Sequence, residues 1–180
     1  MPNHDAAPLR LFVALWPDRA VRHALAACRD AIHRPAAARP TATEKLHLTL
    51  HFLGAVPPAA VSALEAALST VASPAFELRL DVMKAWPGGL VVLQASETPP
   101  ALAHLHAAIG VVLRDLGLPV EKRAFKPHVT LARHAVGAKA LAAQAAQAAP
   151  TLPLRWPVTG HALVQSTPDG RYQVLRRYGG

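Results

Sequence analysis

Residues 45–50 read KLHLTL and residues 126–131 read KPHVTL, so this chain spells Lys-x-His-x-Thr-Leu twice. Both copies alternate apolar and polar residues, the signature of a half-buried strand. Successive side chains of a strand point to opposite faces. His47, Thr49 and His51 are therefore expected on one face, with Leu46, Leu48, Leu50 and Phe52 on the other. By the same rule His128 and Thr130 share a face, with Val129 and Leu131 turned into the core. A single His-x-Thr pair is an ordinary polar face of a sheet. Two copies with matched flanks are rare by chance, and if a twofold relates them both polar pairs converge on one cleft.

Two imidazoles flanking one bound group suit general acid and general base work, because an unperturbed histidine titrates near ~6.5. A threonine hydroxyl two residues on lies on the same face and can hold a phosphoryl oxygen between the rings. The chemistry best served is in-line displacement at phosphorus, with water attacking one side and a ribose oxygen leaving from the other. The competing reading is a metal site built on His47 and His51, but no carboxylate or cysteine stands near either pair at a recognised ligand spacing.

Outward from the motifs the periodicity is readable. LRLFVALWP (9–17) is a compact apolar strand, and residues 18–34 follow as a helix with Asp18 as N-cap and Val21, Leu25, Cys28 and Ile32 as its apolar stripe. The stretch 35–45 reads as a loop. The first motif is a strand over 45–54, residues 58–71 a helix, 76–83 and 88–96 strands, and 100–116 a third helix. Strand 128–133 carries the second motif, 138–149 is an alanine-rich helix, and HALVQST and RYQVLRRY form a hairpin about Pro168, Asp169 and Gly170. The second half echoes the first. The expectation is one domain over 1–180, built as two internally duplicated, pseudo-symmetric α+β lobes.

A chain of 180 residues buries roughly two thirds of its unfolded surface. Apolar residues make up 52% but aromatics only 5%, so Leu, Val and Ala should dominate the core. Nineteen Lys and Arg against eleven Asp and Glu favour an anionic partner. One cysteine, Cys28, excludes an internal disulfide and a cysteine-based zinc site. No segment reads as an export signal, and none approaches the ~20 apolar residues of a membrane span. A cytoplasmic protein without membrane contact is expected, and as a monomer.

Four fragments, LRLFVALWPD (9–18), LHLTLHFLG (46–54), FKPHVTLAR (125–133) and LVQSTPDGRYQVLRRY (163–178), occur in an order that resembles the two-histidine phosphoesterase superfamily, and within it the RNA 2′,3′-cyclic phosphodiesterases, also called 2′-5′ RNA ligases. The resemblance spans nearly the whole chain. It implies a bilobal fold with an antiparallel sheet in each lobe, helices packed outside and a central active-site cleft. It also implies metal-independent opening of an RNA 2′,3′-cyclic phosphate to a 2′-phosphate, with a reversible 2′-5′ RNA ligation as a second activity and no cofactor. The partner would be an RNA or nucleotide carrying that cyclic phosphate. Carried over by position, His47 is the proton donor, His128 the proton acceptor that activates water, and Thr49 and Thr130 hold the non-bridging oxygens. Arg133 would contact the phosphate, although alternation puts it opposite His128 unless the strand bulges. Phe125, Lys126 and His51 are candidates for RNA contacts, Lys122, Arg123 and His134 for a basic rim, and Tyr172 and Ser166 for structural support. The chain departs from the family pattern at His51, where a basic residue is common, and at Trp86, in place of phenylalanine. Two alternatives stay open: a hydrolase of small cyclic phosphates or 2′-5′ oligonucleotides, and a non-catalytic RNA-binding module.

Overall fold

The structure, a computed structural model, describes residues 7–32, 38–148 and 152–180. It is a mixed α+β fold with two four-stranded antiparallel sheets and one two-stranded sheet. The chain runs β1 (Leu9–Leu15), α1 (Arg19–Asp30), β2 (Arg39–Pro40), a short 3-10 turn (Thr43–Lys45), β3 (Leu48–Val56), α2 (Pro58–Ser69), β4 (Phe76–Leu80), β5 (Val82–Trp86) and β6 (Leu90–Gln94). It continues with α3 (Pro100–Asp115), β7 (His128–Arg133), α4 (Ala138–Ala148), β8 (Leu154–Val158), β9 (Gly160–Ser166) and β10 (Tyr172–Gly179). Positions 33, 34 and 149, at the ends of two expected helices, lie outside the described residues.

The first sheet has the order β10-β9-β1-β3 and the second β2-β7-β6-β5. One sheet is thus made from the two ends of the chain and the other from its middle, so the lobes are not the two halves of the sequence. Helices α2 and α3 pack on the first lobe through β10 and β3, and α4 packs on β5 and β6. Helix α1 leaves β1 of the first sheet and packs against β7 of the second, tying the lobes together. Its start is built as the sequence predicts: the Asp18 carboxylate accepts the Val21 N–H at 2.8 Å.

One continuous apolar core runs beneath both sheets, with Leu15, Leu25, Leu48, Leu64, Leu93, Leu102 and Val129 fully buried in it. Leu11, Val13 and Leu15 of β1 face this core. The alternate residues Phe12 and Ala14 belong to a second, smaller apolar cluster on the opposite face, with Ala162, Val164, Trp16 and Tyr172. The run LRLFVALWP is apolar on both faces because one face meets the core and the other floors a site.

The expected strand over 76–83 is two strands that part at Asp81. Its carboxylate accepts the N–H and the hydroxyl of Ser96 at 2.8 and 2.6 Å, and β4 leaves to pair with β8 while β5 pairs with β6. Strand β8 carries Pro157, which argues against a strand by propensity, yet it pairs only with β4, where one side of the ladder is open. In the turn from β5 to β6, Gly88 and Gly89 both have positive φ, 80° and 71°. A side chain at Gly89 would also meet the Ala135 backbone nitrogen at 2.9 Å, so glycine is required there twice over. No helix among the described residues is long and apolar enough to cross a membrane.

Candidate active site

His47 stands immediately before β3 and His128 opens β7, and these two strands touch across the lobes. The two rings are held in the same way. Nδ1 of His47 lies 2.6 Å from the Lys45 carbonyl oxygen, and Nδ1 of His128 lies 2.7 Å from that of Lys126. A carbonyl only accepts, so Nδ1 carries the proton in both neutral rings and Nε2 carries the lone pair. In His47 that Nε2 meets the Thr49 hydroxyl at 2.9 Å. Here lies a physical reason for the repeated Lys-x-His-x-Thr: the first residue supplies the orienting carbonyl and the fifth the hydroxyl.

Each histidine also has a tryptophan against it. Trp16 stacks on His47 with centroids 5.7 Å apart, and Trp86 lies 4.2 Å from His128. Phe12 at 5.0 Å and the edge of Tyr172 at 5.4 Å complete the box around His47, and Lys45 Nζ sits 5.4 Å over the Tyr172 ring. Such packing excludes water. Desolvation is the main force that lowers the His47 pKa to about 4, with the charges of Arg133, His128 and Arg22 acting the same way and the Lys45 carbonyl opposing them. His128 is likewise lowered, mainly by burial, then by Arg133. His47 is within electrostatic reach of both His128 and Arg133, and His128 is within reach of Arg133.

Arg133 comes within that reach through a break in alternation. Along β7, Thr130 pairs with Val92 but Ala132 pairs with Val91, so Leu131 is an extra residue and both Leu131 and Ala132 turn into the core. The bulge returns Arg133, exposed, to the face of His128 and Thr130.

The equivalent break in β3 acts against expectation at His51. Ala14 pairs with Thr49 but Val13 pairs with His51, so Leu50 is the extra residue and His51 joins Val13 on the core face. It is 2% exposed, its Nε2 donates to the His106 carbonyl at 2.8 Å, and its ring stacks on His106. His51 is therefore corrected from the substrate face to the packing against α3. Phe125 belongs to the same stack, with its centroid 4.0 Å from that of His106, and is partly buried against the core. Among the described ring contacts it touches neither His47 nor His128. Lys126 contributes its carbonyl to His128, and its side chain is exposed. Tyr172, expected to be structural, forms part of the wall around His47. Phe12, Trp16, Lys45 and Trp86 are site neighbours that sequence reasoning did not place there. The available signal was the spacing of Phe12, Ala14 and Trp16 on one face of a run apolar on both. A further aromatic, Phe52, pairs with Phe12 and is 69% exposed on the same face. Among the described residues no group of three or more His, Cys, Asp or Glu is placed to hold a metal ion.

Residues 16–170 match the family model of the 2′-5′ RNA ligase superfamily, and the chain belongs to that family. It is similar to the RNA 2′,3′-cyclic phosphodiesterase of Escherichia coli, 34% identical over 71% of this chain and 73% of that protein. The RNA 2′,3′-cyclic phosphodiesterase of Thermus thermophilus is 31% identical over 94% of this chain and 89% of its own length. Among solved structures, E. coli LigT complexed with 3′-AMP superimposes with a TM-score of 0.79 at 30% identity, covering 96% of this chain and 98% of that one.

Proposed function

We propose that this protein hydrolyses 2′,3′-cyclic phosphate ends of RNA to 2′-phosphates without a metal, using His47 and His128 as a general acid and base pair. Nε2 of His128 takes a proton from water as the water oxygen bonds to phosphorus. The bond from phosphorus to O3′ breaks, and Nε2–H of protonated His47 delivers its proton to that oxygen. The Thr49 and Thr130 hydroxyls donate to the non-bridging oxygens, and Arg133 supplies positive charge as the phosphorane forms. The carrying observation is the matched seating of both imidazoles, each with Nδ1 tied to a carbonyl two residues back, so that Nε2 is left for chemistry in both.

The relatives from E. coli and T. thermophilus carry this activity in their names, and the E. coli neighbour binds 3′-AMP, a nucleoside bearing a phosphate on its ribose. Both support the substrate class. Because one chain supplies both motifs, the reading is of a monomer with 1–180 as a single domain, working in the cytoplasm. Incubation with an oligoribonucleotide ending in a 2′,3′-cyclic phosphate, in excess chelator, should yield only the 2′-phosphate end. No turnover, or turnover restored only by added metal, overturns the proposal.

A further inference from the structure

Trp16 faces two ways. Besides stacking on His47, its ring carries the Arg22 guanidinium at 5.0 Å and lines a cavity of about 510 Å³ together with Asp18, Arg19, Trp156, Arg177 and Tyr178. The cavity forms where β1 passes into α1 and meets the turn from β8 to β9 and the end of β10.

This region is basic and short of partners. Neither Arg19 nor Arg177 has an ion pair among the described residues. The charge of Arg22 is disfavoured first by burial and then by the nearby Arg177, which Glu44 offsets in part. The guanidinium of Arg22 is already spent on the carbonyls of Pro17, Thr43 and Glu44, whereas Arg177 is free to bind. The one carboxylate lining the cavity, Asp18, is held as the cap of α1. Three guanidiniums around one carboxylate make a field that an anion relieves.

The sheet leads from the active site to this place. In register across it, Thr49 pairs with Ala14, Ala14 with Ala162, and Ala162 with Arg177. The two alanines lie on the floor of the site, so nothing larger than a methyl group rises between Thr49 and Arg177. Three strand spacings of ~4.8 Å separate the ends of this row, about 14 Å between main chains. The Arg177 side chain, on the same face as Ala162, takes up part of that span, which leaves room for one nucleoside between an anion at Thr49 and an anion at the guanidinium. A 2′,3′-cyclic phosphate closes the 3′ end of a strand, so the next anion is the phosphodiester on O5′ of the same nucleoside.

We infer that the row from Thr49 to Arg177, with the cavity at Trp16, is the subsite for the phosphodiester on the 5′ side of the terminal nucleoside. RNA ends of two or more nucleotides are therefore preferred to cyclic mononucleotides. The inference rests on the proposed function and names its substrate more closely.

The experiment compares kcat/KM on 2′,3′-cyclic AMP with that on the dinucleotide ApA ending in a 2′,3′-cyclic phosphate. Wild type should favour the dinucleotide about tenfold, and Arg177→Ala should erase that preference through KM. Arg177→Lys should keep part of it. Lys139→Ala, which removes one exposed charge from α4, should keep all of it. The salt slope of log kcat/KM on the dinucleotide should fall by about 0.7 in Arg177→Ala, the value for one phosphate of a single strand. A wild type without preference, a preference that survives Arg177→Ala, or an equal loss in Lys139→Ala overturns the subsite. Turnover of neither substrate would instead strike the proposed function itself. Arg177 is exposed on its strand, so its replacement leaves the fold intact.

Discussion

Nδ1 of His47 and Nδ1 of His128 each donate to a carbonyl two residues upstream, and that single contact does two jobs: it selects the tautomer and stabilises the ring when protonated. Burial among Phe12, Trp16 and Tyr172 works against it at His47 and prevails, holding the pKa at about 4. In the free protein the acid proposed at His47 is therefore loaded below the usual histidine range, while a bound phosphate anion raises the same pKa. The alkaline limb of kcat/KM, which reports the free enzyme, should fall below pH ~6.5, and that of kcat should lie higher. A pH-rate study in which both limbs coincide would contradict this. His47→Ala and His128→Ala should each lose at least about 10² in kcat, the lower end for a positioned acid or base, with melting temperatures near wild type. Steady-state kinetics on a cyclic-phosphate substrate measures it.

At the scale of elements, the segment from β2 through the 3-10 turn straps one motif to the other. The Thr41 N–H donates to the Leu131 carbonyl, inside the β7 bulge, and its hydroxyl donates to the Thr130 carbonyl, both at 2.8 Å. Further along, the same segment presents the Lys45 carbonyl to His47. Helix α1 clamps it from outside: Arg29 donates to the Thr41 carbonyl and the Thr43 hydroxyl, and Arg22 to the Glu44 carbonyl. The strap thus sets the relation of the two imidazoles. Thr41→Val removes one hydrogen bond, worth about 1 kcal/mol, so the melting temperature should drop by only about 2–4 °C. Its kcat should fall several-fold with KM held, and Thr41→Ser should recover it. Equal losses in both variants would reduce Thr41 to a plain stabilising contact. The bulges of β3 and β7 were not legible in LHLTLHFLG and FKPHVTLAR, because an extra residue is defined by the partner strand. Alternation read from sequence therefore placed Thr49 and Thr130 correctly, but it put His51 and Phe52 on the wrong faces and could bring in Arg133 only by invoking a bulge.

Across the whole molecule, among the described residues, His47, His106 and His161 are each lowered to about 4, first by desolvation, and the buried His51 is lowered in the same direction for the same reason. His161 is sealed beneath Tyr178 with its Nδ1 at 2.7 Å from the Ser73 hydroxyl, and it lies on the core face, away from the chemistry. An unfolded histidine titrates near ~6.5, so between that value and about 4 the unfolded chain binds more protons. Stability is then complete above pH ~6.5 and falls as pH drops towards 4, by up to about 1.4 kcal/mol per unit for each such group. Thermal melts from pH 7 to 4.5 should show this decline starting above the carboxylate range, and a midpoint flat to pH 4.5 would refute it.

The sequence alone determined the family pattern and most of the elements: the doubled Lys-x-His-x-Thr, the strands that carry it, the capped helix after Asp18 and the hairpin about Pro168 to Gly170. These are local properties, set by periodicity, capping and turn residues within a few positions of one another. Only the tertiary structure decided that the two ends of the chain share one sheet, that β4 leaves β5 to pair with β8, and that His51 is packed away while Arg133 is brought in. It also brought Trp16, Trp86 and Tyr172 against the two imidazoles. Strand pairing, bulges and aromatic packing depend on residues distant in sequence, and no local pattern records which partner a strand will find.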